Sequence, residues 1–134
     1  MSRTSLDRGL GQRSVTWHEP GEWRVGDRDG IASSFAALHQ EDGPGVTLLT
    51  VRYDPGTVVP VHSHGVDYCS VVVEGSITVT RQECAVGHMR FVKAGTAYGP
   101  LVVGPEGCTV LDIFASTEAE LLYPRYVERQ ADGG

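Results

Sequence analysis

A cysteine framework is missing from this chain, and so is any long apolar run. Its three cysteines, Cys69, Cys84 and Cys108, are odd in number, widely spaced and form no CxxC pair. That excludes a zinc knuckle and a disulfide-stapled scaffold. No stretch reaches the roughly 20 apolar residues of a membrane-spanning helix, and the opening MSRTSLDRGLGQRS lacks the apolar segment of a secretory leader. Positive charge is scarce: 11 Lys and Arg stand against 17 Asp and Glu, a net charge of −6. Nothing in that balance neutralises a row of phosphates, so nucleic-acid and anionic-membrane partners are disfavoured. A reduced, soluble, cytoplasmic domain with a small-molecule partner is the expectation.

The chain does have glycine, proline and short apolar runs. Its 134 residues suit one domain, which buries about two-thirds of the surface of the unfolded chain. The 17 Gly and 7 Pro separate SSFAALHQ (33–40), VTLLTVRY (46–53), TVVPVHSH (57–64), YCSVVVEG (68–75), SITVTR (76–81), HMRFVKA (88–94) and CTVLDIFA (108–115). Runs of this length, rich in Val, Ile, Thr and aromatics, predict an all-β sandwich or barrel. Glu74-Gly75-Ser76 reads as a hairpin link, and Gly43-Pro44-Gly45, Asp54-Pro55-Gly56 and Gly104-Pro105-Glu106-Gly107 read as turns. One helical turn is predicted at 117–123, capped by Thr117 with Glu120 three residues on and ended by Pro124. Residues 1–14 and 126–134 read as a mobile arm and tail around a domain at 15–125. Trp17 and Trp23, in WHEPGEW, suggest an N-terminal strand that packs on the barrel or pairs with a second copy, hence a homodimer.

Two of the five histidines, His62 and His64, sit one residue apart behind Asp54-Pro55-Gly56. On an extended chain they share a face. The segment Gly56-TVVPV-His62-Ser63-His64-GVD-Tyr68-CSVVVE-Gly75 resembles the first motif of the cupins, Gly-x5-His-x-His-x3–4-Glu-x6-Gly, with Tyr68 where that family has Glu. The segment Gly87-HMRFV-Lys93-Ala94-Gly95-Thr96-Ala97-Tyr98-GPL-Val102 resembles the second motif; Lys93, Tyr98 and Val102 stand where the family has Pro, His and Asn. The resemblance spans about residues 45–115. It implies an all-β, cupin-type double-stranded β-helix, a jelly-roll-like barrel with the histidines at its mouth, here with a short C-terminal helical turn.

In metal-binding cupins those positions hold one divalent ion, so the resemblance implies a site at His62, His64, Tyr68 and Tyr98 for Fe, Mn, Ni or Zn. Strand parity puts Tyr68 on the face of the histidines, whereas Asp67, a better ligand chemically, needs a β-bulge to join them. A phenol with a pKa near 10 is a poor ligand until it loses its proton. Asp112 interrupts TVLDIFA and reads as a base or acceptor in the mouth. Two functions follow. One is a small-molecule enzyme, metal-assisted, of oxygenase, lyase, isomerase or cyclase type, with Tyr98, Tyr68 and Asp112 as catalytic candidates. The other is a metal-free module that binds a small ligand through the same groups.

Overall fold

The computed structural model describes residues 15, 17–26 and 28–127. The arm expected over 1–14 and residues 128–134 of the expected tail lie outside the described residues. The structure is almost entirely antiparallel sheet: β1 (Trp23–Val25), β2 (Ile31–Leu38), β3 (Val46–Tyr53), β4 (Val58–Val59), β5 (His62–Ser63), β6 (Tyr68–Val79), β7 (Gln82–Ala85), β8 (Met89–Val92), β9 (Leu101–Phe114) and β10 (Arg125–Tyr126), with one short helix, α1 (Ala119–Leu122). The main sheet runs β1-β2-β3-β9-β6-β7, with β4 added to β9 and β8 to β6, while β5 pairs with β10.

Two long strands organise it. β6 and β9 pair along most of their length, with register shifts between Val72 and Glu74 and between Gly75 and Ile77. The hairpin expected at Glu74-Gly75-Ser76 is therefore a bulge within one continuous strand. Gly75 has φ +71, and a Cβ there would lie 1.9 Å from the Gly107 carbonyl oxygen. A glycine that looks like a turn in sequence is here a point of backbone contact. The turn expected at 104–107 is likewise absorbed into β9, and the actual hairpin lies at Thr80 and Arg81, both with positive φ. On either side of the bulges the strands change neighbours: β8 pairs with residues 68–71 of β6, and β7 with residues 76–79.

Alternation does the rest. Val51, Val59, Val72, Ile77, Val79, Leu101, Val103, Cys108 and Val110 form one buried apolar core. Tyr68, Val92, Phe114 and Leu122 form a second cluster towards the histidines. Each fully buried Val or Ile contributes about 1.5–3 kcal/mol relative to exposure, so this core carries the fold. The helix is shorter than 117–123 and lacks the Thr117 cap: Glu118 is the N-cap residue without a side-chain bond, and its N–H donates to Ser116 Oγ at 3.0 Å. No helix among the described residues is long and apolar enough to cross a membrane.

Candidate functional site

β5 is too short to hold itself and is fastened from both sides. His62 and Tyr98 exchange backbone hydrogen bonds of 3.0 Å, the His64 carbonyl accepts from Gly95 N–H at 2.8 Å, and Val127 N–H donates to Val61 at 3.0 Å. The two motif segments are thereby locked together, and β10 closes over them by pairing Tyr126 with His62. Within that frame both imidazoles are buried, at 5% and 8% exposure.

Their orientation is set by carbonyls. His62 Nδ1 lies 2.9 Å from the Pro60 oxygen, and His64 Nδ1 lies 2.8 Å from the Leu122 oxygen. A carbonyl only accepts, so each Nδ1 carries the proton and each Nε2 keeps its lone pair for the interior. The same arrangement orients histidines that ligate metals. The last turn of α1 thus has a task beyond packing: it fixes one imidazole. Burial lowers the pKa of both rings, against the carbonyl bonds, and takes His64 down to about 4. Both are neutral at pH 7.

The phenols complete the cluster. The Tyr98 hydroxyl is 3.2 Å from His62 Nε2 and touches the Tyr68 hydroxyl. Tyr68 is T-shaped to His64 at 5.0 Å and stacks on Phe114 at 4.7 Å. Burial raises the pKa of both tyrosines, so they are protonated donors. Asp67 stays outside the cluster: no bulge turns it inward, and its Oδ1 accepts from the Ala94 N–H at 2.8 Å in the turn before Tyr98. Asp112 is inside, 7% exposed, and burial raises its pKa to about 6 against the nearness of the Ser70 hydroxyl and the Arg90 charge.

Sequence reasoning missed Arg90, Ser70 and Tyr53. Met89 and Phe91 are exposed at 78% and 62%, so alternation turns Arg90 inward, with its guanidinium 5.4 Å from the centre of the Tyr98 ring. The only sequence signal was a cation between apolar residues in HMRFV. Tyr53 is half-buried near Asp112, Tyr98, Arg90 and Cys108, and loss of solvent around its hydroxyl raises its pKa. His88 accepts from Ala85 N–H at 2.7 Å and is exposed, as are His18 and His39.

The donor set fits a divalent ion in part. Two oriented, neutral imidazoles are sound ligands, but catalytic zinc typically has three protein ligands. No group of three or more His, Cys, Asp or Glu is placed to hold a metal among the described residues. The remaining neighbours are phenols that burial keeps protonated.

No family model matches the chain, and no curated protein sequence does. Solved structures do match in shape. KdgF from a Halomonas species is 19% identical over 73% of this chain and 89% of its own, with a TM-score of 0.59. A deletion mutant of the Bacillus subtilis oxalate decarboxylase OxdC is 14% identical over 80% of this chain, with a TM-score of 0.65. The same enzyme in a study of its Mn(II) centres is 16% identical over 73% of this chain, with a TM-score of 0.61. This chain spans about 30% of the length of the oxalate decarboxylase chains. Both neighbours are cupins, and the likeness shows that this chain has the cupin fold.

Proposed function

We propose that this cupin-fold chain is a small-molecule enzyme whose site is the His62, His64, Tyr68, Tyr98 cluster, with His62 and His64 as the residues that hold a divalent metal. The observation that carries the reading is the pair of buried imidazoles with ring centres 5.2 Å apart, each with Nδ1–H bonded to a carbonyl so that Nε2 keeps its lone pair. A metal bound there supplies Lewis acidity. The chain's own residues do the rest. Low pKa values keep the imidazoles available as acceptors at pH 7. The hydroxyls of Tyr68 and Tyr98 are aligned to donate hydrogen bonds or a proton to an oxygen on the substrate. Arg90 adds a fixed positive charge beside them, and Asp112 an acceptor on the same interior face. The Mn(II) centres of the oxalate decarboxylase neighbour are consistent with a metal in this fold; the substrate and the metal are not carried over from it.

The metal-free binding module is the second reading, favoured by one observation: Tyr98 already places its hydroxyl at His62 Nε2. Elemental analysis of protein purified without a histidine tag separates the two. The enzyme reading expects bound Fe, Mn, Ni or Zn that is lost in the double variant His62→Ala/His64→Ala, with the thermal transition retained. It also expects Tyr98→Phe to retain the fold and reduce turnover or metal affinity. Protein without metal as isolated, and without a thermal shift on adding any of those ions, sinks the metal reading and leaves the binding module.

A further inference from the structure

Ser70 pairs with Arg90 of β8 on one side and with Asp112 of β9 on the other. These three residues form one inward row across three neighbouring strands. The rows beside it are closed by packing: Val92, Tyr68 and Phe114 above, Val72 and Val110 below, all buried. The middle row is polar, and one buried side-chain atom of each of its residues is unmet. Among the described residues, the buried side-chain atoms without a hydrogen-bond partner are Ser70 Oγ, Arg90 Nε and Asp112 Oδ1. Ser70 is 2% and Asp112 7% exposed. Ser70 lies near enough to Asp112 to favour its ionised form, yet its Oγ closes no hydrogen bond.

An unmet buried polar atom costs about 1–3 kcal/mol. Three in a single row, and none elsewhere among the described residues, is a pattern that fold stability does not select. We infer that the Arg90–Ser70–Asp112 row is a binding subsite for a small carboxylate that also carries a hydroxyl or amino group. Arg90 Nε–H and the Ser70 hydroxyl donate to the ligand's carboxylate, as guanidinium and hydroxyl groups do. Asp112 Oδ1 accepts from the hydroxyl or amine. Inward side chains on neighbouring strands stand about 5 Å apart, so the row spans about 10 Å, the scale of a molecule of roughly three to six carbons. The Tyr98 ring beneath the guanidinium and the Leu49 side chain opposite Asp112 supply apolar walls. The inference rests on the reading of the barrel interior as a small-molecule site, and not on the metal.

The test uses the full chain after chelation and dialysis, with lactate, serine, acetate and glycerol as probes in calorimetric and 1H–15N NMR titrations that include the arginine Nε–H region. Lactate and serine carry both halves of the recognised group, acetate and glycerol one each. Losing a hydrogen bond to a charged partner weakens binding about tenfold, so lactate or serine is expected to bind at least that much more tightly than acetate or glycerol and to shift the Arg90 Nε–H signal. Ser70→Ala, the variant least able to disturb the fold, weakens the better probe about threefold or more, and Arg90→Lys and Asp112→Asn about tenfold. Because the protein is metal-free in this test, binding by it separates this subsite from the metal reading. No binding by any probe tighter than about 10 mM overturns the inference. So do equal affinities across the four probes, or full affinity in all three row variants; the row is then satisfied by water alone.

Discussion

Replacing Asp112 with Asn is expected to make the protein more stable at pH 7. The carboxyl is 7% exposed with an unpartnered Oδ1, and burial raises its pKa from 3.8 to about 6. Each tenfold change in proton affinity corresponds to 1.36 kcal/mol, so ionised Asp112 costs the fold about 3 kcal/mol at neutral pH. Asn keeps the shape but still buries an amide, so the expected net gain is about 2 kcal/mol, or about 7 °C in Tm for a chain of this size. The pH profile makes the reasoning refutable. The folded-state pKa of Asp112 lies above its unfolded value, so the native state holds more protons between 3.8 and about 6, and stability falls as pH rises through that window. His64 does the reverse. Its folded-state pKa is lowered from 6.5 to about 4, so the unfolded chain holds more protons in between. Its contribution is complete above 6.5 and is lost on acidification towards 4, with His62 acting in the same direction. In the wild type these slopes largely cancel between pH 4 and 6. In Asp112→Asn the histidine slope stands alone, about 3 kcal/mol in all. Chemical denaturation in the presence of chelator, from pH 4 to 7, measures both profiles. A variant less stable than wild type at pH 7 by more than about 1 kcal/mol, with an unchanged profile, means that Asp112 is ionised and paired in solution, and the argument fails.

Two further perturbations test the fold and the assembly. Gly75→Ala forces a Cβ to 1.9 Å from the Gly107 oxygen at φ +71; a loss of about 3 kcal/mol or failure to fold is expected by urea denaturation, and a change under about 0.5 kcal/mol removes Gly75 as the point where β6 and β9 meet. The outer face of the sheet aligns Phe91, Cys69 and Ile113 in one cross-strand row and Met89, Val71 and Leu111 in the next, with Phe91 and Met89 well exposed. An apolar face of that kind favours self-association, so the homodimer proposed from the N-terminal segment is expected to use this face instead: Phe91→Glu yields a monomer by light scattering while deletion of residues 1–25, which removes WHEPGEW, does not, and a wild-type monomer at micromolar concentration refutes both.

The sequence by itself determined the β architecture, because short runs rich in β-branched residues, separated by Gly and Pro, allow little else. The run 46–53 is strand β3 to the residue. It also determined that His62 and His64 share a face, since a period of two is a local property of an extended chain; Tyr68 opens a separate strand after the bend at residues 65–66, and the tertiary structure sets it against His64. The tertiary structure decided which glycines turn the chain. Gly75 and Gly107 read as turn residues in sequence, yet they serve a contact between two strands at positions more than thirty residues apart, which no local pattern records. The orientation of His64 was likewise hidden, because the carbonyl that holds it belongs to Leu122, 58 residues away. The surroundings of the two carboxylates were hidden for the same reason: Asp67 accepts from the Ala94 amide, 27 residues away, and Asp112 is enclosed beside Ser70 and Arg90 of other strands. Arg90 was invisible as an interior residue until β8 docked on β6 and set it beside Ser70. Parity says only that neighbours alternate; the pairing register says which of the two faces is the inside.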